Sequence, residues 1–169
     1  MIPERFINTG DVGVIVKPKG LLAKLIGLFT KNKSHSFCFC REWGKLYVYE
    51  MKGFGIFKTL YTSTYGNESG WQLMKCNYDY SKDQKEKYYN FLMSVYQLNY
   101  EYDTNTLLKH AYYKAMKRFP SELKSDMKLI CSELNALAAN AAQPYTFSLP
   151  ESVTPLDIYN SKFYYKWKI

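Results

Sequence analysis

From Ser36 to Cys40, and again from Leu46 to Glu50, side chains of two kinds alternate residue by residue, with Arg41-Glu42-Trp43-Gly44 between the two runs. A period of two marks a strand, and four residues suit a short connection, so the segment predicts a β-hairpin. A four-residue loop places Cys40 opposite Lys45, Phe39 opposite Leu46, Phe37 opposite Val48 and His35 opposite Glu50. One face is then apolar up to its open end, where an imidazole meets a carboxylate with Cβ atoms roughly 4.5–5.5 Å apart. The other face carries Ser36, Cys38 and Cys40 opposite Tyr49, Tyr47 and Lys45, and reads as more polar and more exposed. A slip of one residue would put His35 and Glu50 on different faces.

The remaining pattern adds strands at 11–16, 54–60 and 71–76, the last two separated by a polar loop at 61–70. Ser81, with Gln84 three residues on, forms a capping-box pattern for a helix running to about Leu98, with Phe91, Leu92, Val95, Tyr96 and Leu98 as its apolar stripe. A helix is predicted over 105–119, stopped by Pro120. An amphipathic one is predicted over 20–30, whose Leu21, Leu22, Leu25, Ile26 and Phe29 form either a core face or a lid. Leu129-Ile130 then gives way to Leu134, Leu137, Ala138 and Ala141 at helical spacing, so a helix begins at or just before Cys131. The fold expected is α+β, a small curved antiparallel sheet or half-barrel packed against helices, with residues 1–169 as a single domain.

A chain of 169 residues with 18% aromatic content is long enough to bury roughly two-thirds of its unfolded surface, which argues against disorder. The longest apolar stretch, 21–29, is interrupted by Lys24 and falls far short of the roughly 20 residues that span a bilayer. No apolar signal-like run precedes Asp11. The expected location is therefore cytoplasmic or, for a phage-encoded protein, release by lysis or carriage in a virion. A net charge of +8 favours an anionic partner such as a cell-wall polymer or lipid headgroups, so peripheral lipid contact stays open. No nucleic-acid motif accompanies the charge. Cys38, Cys40, Cys76 and Cys131 lack zinc-ligand spacing, and His110 has no matching partner, so no metal or cofactor is expected.

Reactive chemistry is concentrated in Cys131, His35 and Glu50. A thiol is mostly protonated at neutral pH unless an imidazole or a helix N-terminus lowers its pKa, and the imidazole needs a polar partner to fix its tautomer. Cys131 meets the first condition if its helix begins there, yet its position on the apolar stripe also suits an inert core thiol.

Five elements stand in order along the chain: Gly10-Asp11-Val12, Ser34-His35, Glu50, Cys131-Ser132-Glu133-Leu134 and Val153-Thr154-Pro155-Leu156-Asp157. In that order they resemble the circularly permuted papain-like amidases of the NlpC superfamily, in particular the YaeF/YiiX-like branch, where the histidine comes first and the cysteine last. The resemblance implies a cysteine amidase or peptidase. Cys131 attacks an amide carbonyl to form a thioester, His35 shuttles the proton, Glu50 holds the imidazolium and the Cys131 backbone N–H contributes to an oxyanion hole. Ser34, Ser132 and Asn135 are the expected substrate contacts, and a peptide, in particular a cell-wall peptide, is the expected substrate. The chain departs from the family at Asn135, where relatives often carry valine, and at Cys38 and Cys40, where aliphatic residues are usual. Two alternatives remain: a lipid thioesterase or acyltransferase of the related papain-like branch, and a non-catalytic binding or virion component.

Overall fold

The computed structural model describes residues 2–20, 24, 27, 30–103 and 128–168. Six strands, β1 (Val12–Ile15), β2 (His35–Glu42), β3 (Lys45–Lys52), β4 (Gly55–Leu60), β5 (Trp71–Cys76) and β8 (Tyr164–Lys166), form one open, curved sheet in the order β4-β3-β2-β1-β5-β8. Every neighbouring pair in it is antiparallel. A separate parallel pair joins the two-residue strands β6 (Glu101–Tyr102) and β7 (Lys128–Leu129). Helices among the described residues include α1 (Lys82–Gln97), α2 (Cys131–Ala142) and the short α3 (Pro155–Asn160).

The hairpin is present with a tighter turn than a four-residue loop. Trp43 and Gly44 alone connect β2 to β3, with φ of 50° and 79°, the left-handed pair of a two-residue turn whose twist matches that of the strands. Arg41 and Glu42 therefore continue the strand. The ladder sets Phe39 opposite Val48, Cys40 opposite Tyr47 and Glu42 opposite Lys45, an offset of two residues from the expected pairing. Because side chains repeat every two residues, the offset leaves His35 and Glu50 on a common face, as diagonal neighbours instead of direct partners.

Both faces of the sheet are covered. Phe37, Phe39, Leu46, Val48 and Leu73 pack with Ile7, Tyr61 and Tyr65 on one side. There the Tyr65 ring stacks on Phe37 at 3.8 Å and 12°. Gly13 leaves the space that the Phe37 ring fills, since a Cβ there would lie 2.0 Å from it. On the other side, Ser36, Cys38, Cys40 and Tyr49 are fully buried, which corrects the expectation of an exposed face. Cysteine is apolar enough to pack, and α1 and α2 lie across this side.

Helix α1 starts as its sequence predicts: Ser81 Oγ accepts from the Gln84 N–H and Gln84 Oε1 accepts from the Ser81 N–H. Its inward face is Tyr88, Leu92 and Val95, whereas Tyr96 and Leu98 are 41% and 56% exposed, so the stripe sits further towards the N-terminus than expected. Helix α2 is buried almost all round, because Ala136, Ala138, Ala139 and Ala142 let it approach its neighbours closely. Among the described residues no helix is long and apolar enough to cross a membrane. The helix expected over 105–119, His110 within it, and all of 21–29 except Lys24 and Gly27 lie outside the described residues.

Candidate active site

Leu129 and Ile130 anchor the entry to α2 in the core, and Cys131 is the first helical residue. Ile130 occupies the cap position in an extended conformation and offers no side-chain acceptor, so the first-turn N–H groups are not consumed by a conventional cap. The Glu133 carboxylate reaches back to the Ile130 N–H at 3.4 Å. The Ser132 N–H, in the same turn, and the Ser36 N–H from β2 both lie close enough to the Cys131 sulfur to favour its ionised form. A thiolate is favoured there by these donors and by the positive end of the helix dipole.

His35 opens β2 with its Nε2 3.0 Å from Glu50 Oε2, and its ring lies close enough to Cys131 for an imidazolium and a thiolate to stabilise one another. Glu50, with no exposed surface, accepts three hydrogen bonds. Oε2 takes the His35 ring and the Tyr65 hydroxyl at 2.7 Å, and Oε1 takes the Lys52 ammonium. Cys131, His35, Glu50 and Lys52 thus form a row that alternates in sign whenever the thiol is ionised and the imidazole protonated.

The proton affinities follow from this packing. Burial pushes the Glu50 carboxyl up, but its donors outweigh burial and hold it at about 2. Burial pushes the His35 imidazolium down, and the Cys131 thiolate and Glu50 beside it raise it to about 9. Burial raises the Cys131 thiol, and the neighbouring imidazolium with the two backbone N–H groups brings it below the usual thiol range. Cys38 and Cys40, without such partners, are pushed by burial up to about 12.

The remaining expected residues have different surroundings. Ser34 is buried immediately before β2. Ser132 has no exposed surface, and its Oγ donates to the Val153 carbonyl at 2.6 Å, tying the cysteine motif to the Thr-Pro segment, where Thr154 and Asp157 cap α3 reciprocally. Asn135 is likewise fully buried, with its amide committed to internal bonds. Asp11, in the Gly-Asp element, accepts from the Asn8 and Cys76 N–H groups and from Lys75, so its work is to join strand ends.

Three residues at the site carry no sequence expectation. Tyr65 comes from a loop read as polar, and its only sequence signal is an aromatic residue among Thr, Ser and Gly. Lys52 follows Glu50 at the strand period. Tyr102, on β6, lies beside the Cys131 sulfur, with nothing in the pattern of its two-residue strand to announce it. Cys131 itself is 1% exposed.

No protein-family model matches the sequence, and no curated protein matches it. Among solved structures, the fold is similar to the crystal structure of the metalloprotein YiiX from Escherichia coli O157:H7, described as DUF1105. The TM-score is 0.63 at 14% identity, over 95% of this chain and 96% of that one. The chain therefore has a YiiX-like α+β fold. The metal in that description belongs to YiiX. Among the described residues here, no group of three or more His, Cys, Asp or Glu side chains is placed to hold an ion.

Proposed function

We propose that the protein is a cysteine hydrolase of the NlpC superfamily with a circularly permuted papain-like fold, one catalytic domain that cleaves an amide bond, with cell-wall peptides as the substrate class. The observation that carries this reading is the position of His35, its Nε2 on a buried carboxylate and its ring beside a thiol at a helix N-terminus. In the reaction, the Cys131 thiolate adds to the amide carbonyl carbon and the carbonyl electrons move to oxygen. The N–H groups of the first turn of α2 are the donors nearest that oxyanion, each worth roughly 10²–10³ in rate. Collapse expels the amine, which takes its proton from the His35 imidazolium and leaves a thioester. A water molecule, deprotonated by the now neutral His35, attacks the thioester and releases the acid and the thiolate. Glu50 stays ionised throughout and fixes the ring.

The burial of Cys131 favours a second reading, a non-catalytic binding or virion component. One experiment separates the two, and also tests the lipid alternative. Wild type and Cys131→Ala are incubated with muropeptides, with short-chain thioesters and with phospholipid vesicles, and products are identified by mass spectrometry. A new amine released from muropeptides by wild type alone supports the amidase, and fatty-acid release supports a lipid acyl hydrolase. A folded wild type indistinguishable from Cys131→Ala on all three refutes both hydrolytic readings and supports the non-catalytic one.

A further inference from the structure

Asn135 lies one helical turn beyond Cys131, in the midst of Leu134, Ala136, Ala138 and Ala139, where an apolar side chain would match the surroundings. Its Nδ2 donates to the Cys131 carbonyl at 2.6 Å and to Ser36 Oγ at 3.1 Å, and its Oδ1 accepts from the Cys38 thiol at 3.3 Å. The orientation of the amide is set by the Cys131 carbonyl, which can only accept. Asparagine is a poor helix former, and a buried amide is costly unless its bonds are made. Here every contact joins the first turn of α2 either to itself or to β2.

We propose that Asn135 is a positioning residue, a clamp that fixes the first turn of α2 against β2 and so sets the spacing between the Cys131 sulfur and the His35 imidazole. This rests on the hydrolase reading above. Ser36, which receives the amide through its hydroxyl, directly follows His35 and places its own N–H near the Cys131 sulfur. A slide of α2 along β2 therefore changes the imidazole contact and a thiolate donor together. Cys38, two residues further along the same face of β2, adds a second anchor, so the amide resists rotation as well as translation. The residue that departs from the family pattern, together with one of the two departing cysteines, forms this clamp.

The test compares wild type, Asn135→Val and Ser36→Ala by thermal melting, by the pH dependence of Cys131 alkylation with iodoacetamide, and by kcat and KM on a short-chain thioester. In Asn135→Val the alkylation inflection moves up by about half a unit or more, as the thiolate loses aligned donors. At the same time kcat falls roughly 10- to 100-fold with KM little changed, the pattern of a misplaced nucleophile. Ser36→Ala, which deletes one leg of the clamp and leaves the helix intact, shifts the inflection in the same direction by less. A folded Asn135→Val with the wild-type inflection overturns the proposal. If Asn135→Val does not fold, an unchanged inflection in Ser36→Ala overturns it, and an upward shift there supports it. Alkylation requires no turnover, so a wild type inert towards every substrate refutes the hydrolase reading while the clamp is still measured.

Discussion

Replacing Glu50 by glutamine tests the buried charge row directly. Both carboxylate oxygens accept hydrogen bonds, Oε2 from His35 and Tyr65 and Oε1 from Lys52. Glutamine has a single acceptor oxygen, so its NH₂ must point at a donor whichever way it turns, and a buried ion pair is broken as well. The gap between an ordinary carboxyl near 4.5 and about 2 in the folded protein corresponds to about 3 kcal/mol of stability at neutral pH. Because the folded value is the lower one, this stability is complete above the ordinary value and disappears as pH falls towards 2, with about 2 kcal/mol of it gone by pH 3. Urea unfolding of wild type and Glu50→Gln at pH 7 and pH 3 measures the difference. The expected gap of about 3 kcal/mol at pH 7, or about 6–12 °C in melting temperature for a chain of this size, should narrow to about 1 kcal/mol at pH 3. A gap below 1 kcal/mol at pH 7, or one equal at both pH values, would show that Glu50 is not the ionised, triply bonded group described. Glu50→Gln should also retain more turnover than Cys131→Ala, since it removes the orienting group and keeps the nucleophile.

Four other outcomes follow from the same site. Limited iodoacetamide at pH 6 should label Cys131 before Cys38, Cys40 and Cys76, whose thiols burial pushes upward; peptide mapping that finds Cys131 last would contradict the thiolate assignment. Lys52→Met should raise the upper limb of the pH–rate profile above about 9 by a few tenths of a unit, because the imidazolium loses a neighbouring positive charge, and an unmoved limb would remove Lys52 from the charge row. Tyr65→Phe keeps the stack on Phe37 but loses one bond to Glu50, costing about 1–2 kcal/mol by urea unfolding; a neutral result would mean that the bond is not made in solution. Burial, with Asp103 and Glu151 nearby, raises the Glu133 carboxyl to about 7, so its ionisation opposes folding as pH rises from 4.5 through 7; Glu133→Gln should raise the melting temperature at pH 8 and leave it nearly unchanged at pH 4.5.

The alternation of β2 and β3 was legible because parity survives an error of two residues, and that parity brought His35 and Glu50 to one face although the pairing itself differs. The turn was not legible, since Arg41 and Glu42 read as loop residues by their polarity and Trp43 is an unusual occupant of a left-handed position. The start of α1 followed from the reciprocal bonds of Ser81 and Gln84, which depend only on local spacing. Burial of the Cys38 face was hidden because it depends on where α1 and α2 are carried by the rest of the chain. Tyr65 and Tyr102 reach the site across long sequence separations, and no local period encodes such a contact.

The placement of His35 and Glu50 on the sheet has a temporal consequence. Strand β2 pairs with β1 over His35–Cys38 and with β3 over Cys38–Glu42, and β3 pairs with β4 over Tyr47–Lys52, while side chains cover both faces. Core strands so placed open at free energies near that of the whole molecule, so their amides should be among the last to exchange with deuterium. His35, held by β1, and Glu50, held by β4, should therefore keep their pairing through most local openings of the native state. Any breathing that admits a reactant to Cys131 must come from elements outside these strands, with Tyr102 on its two-residue β6 one of them.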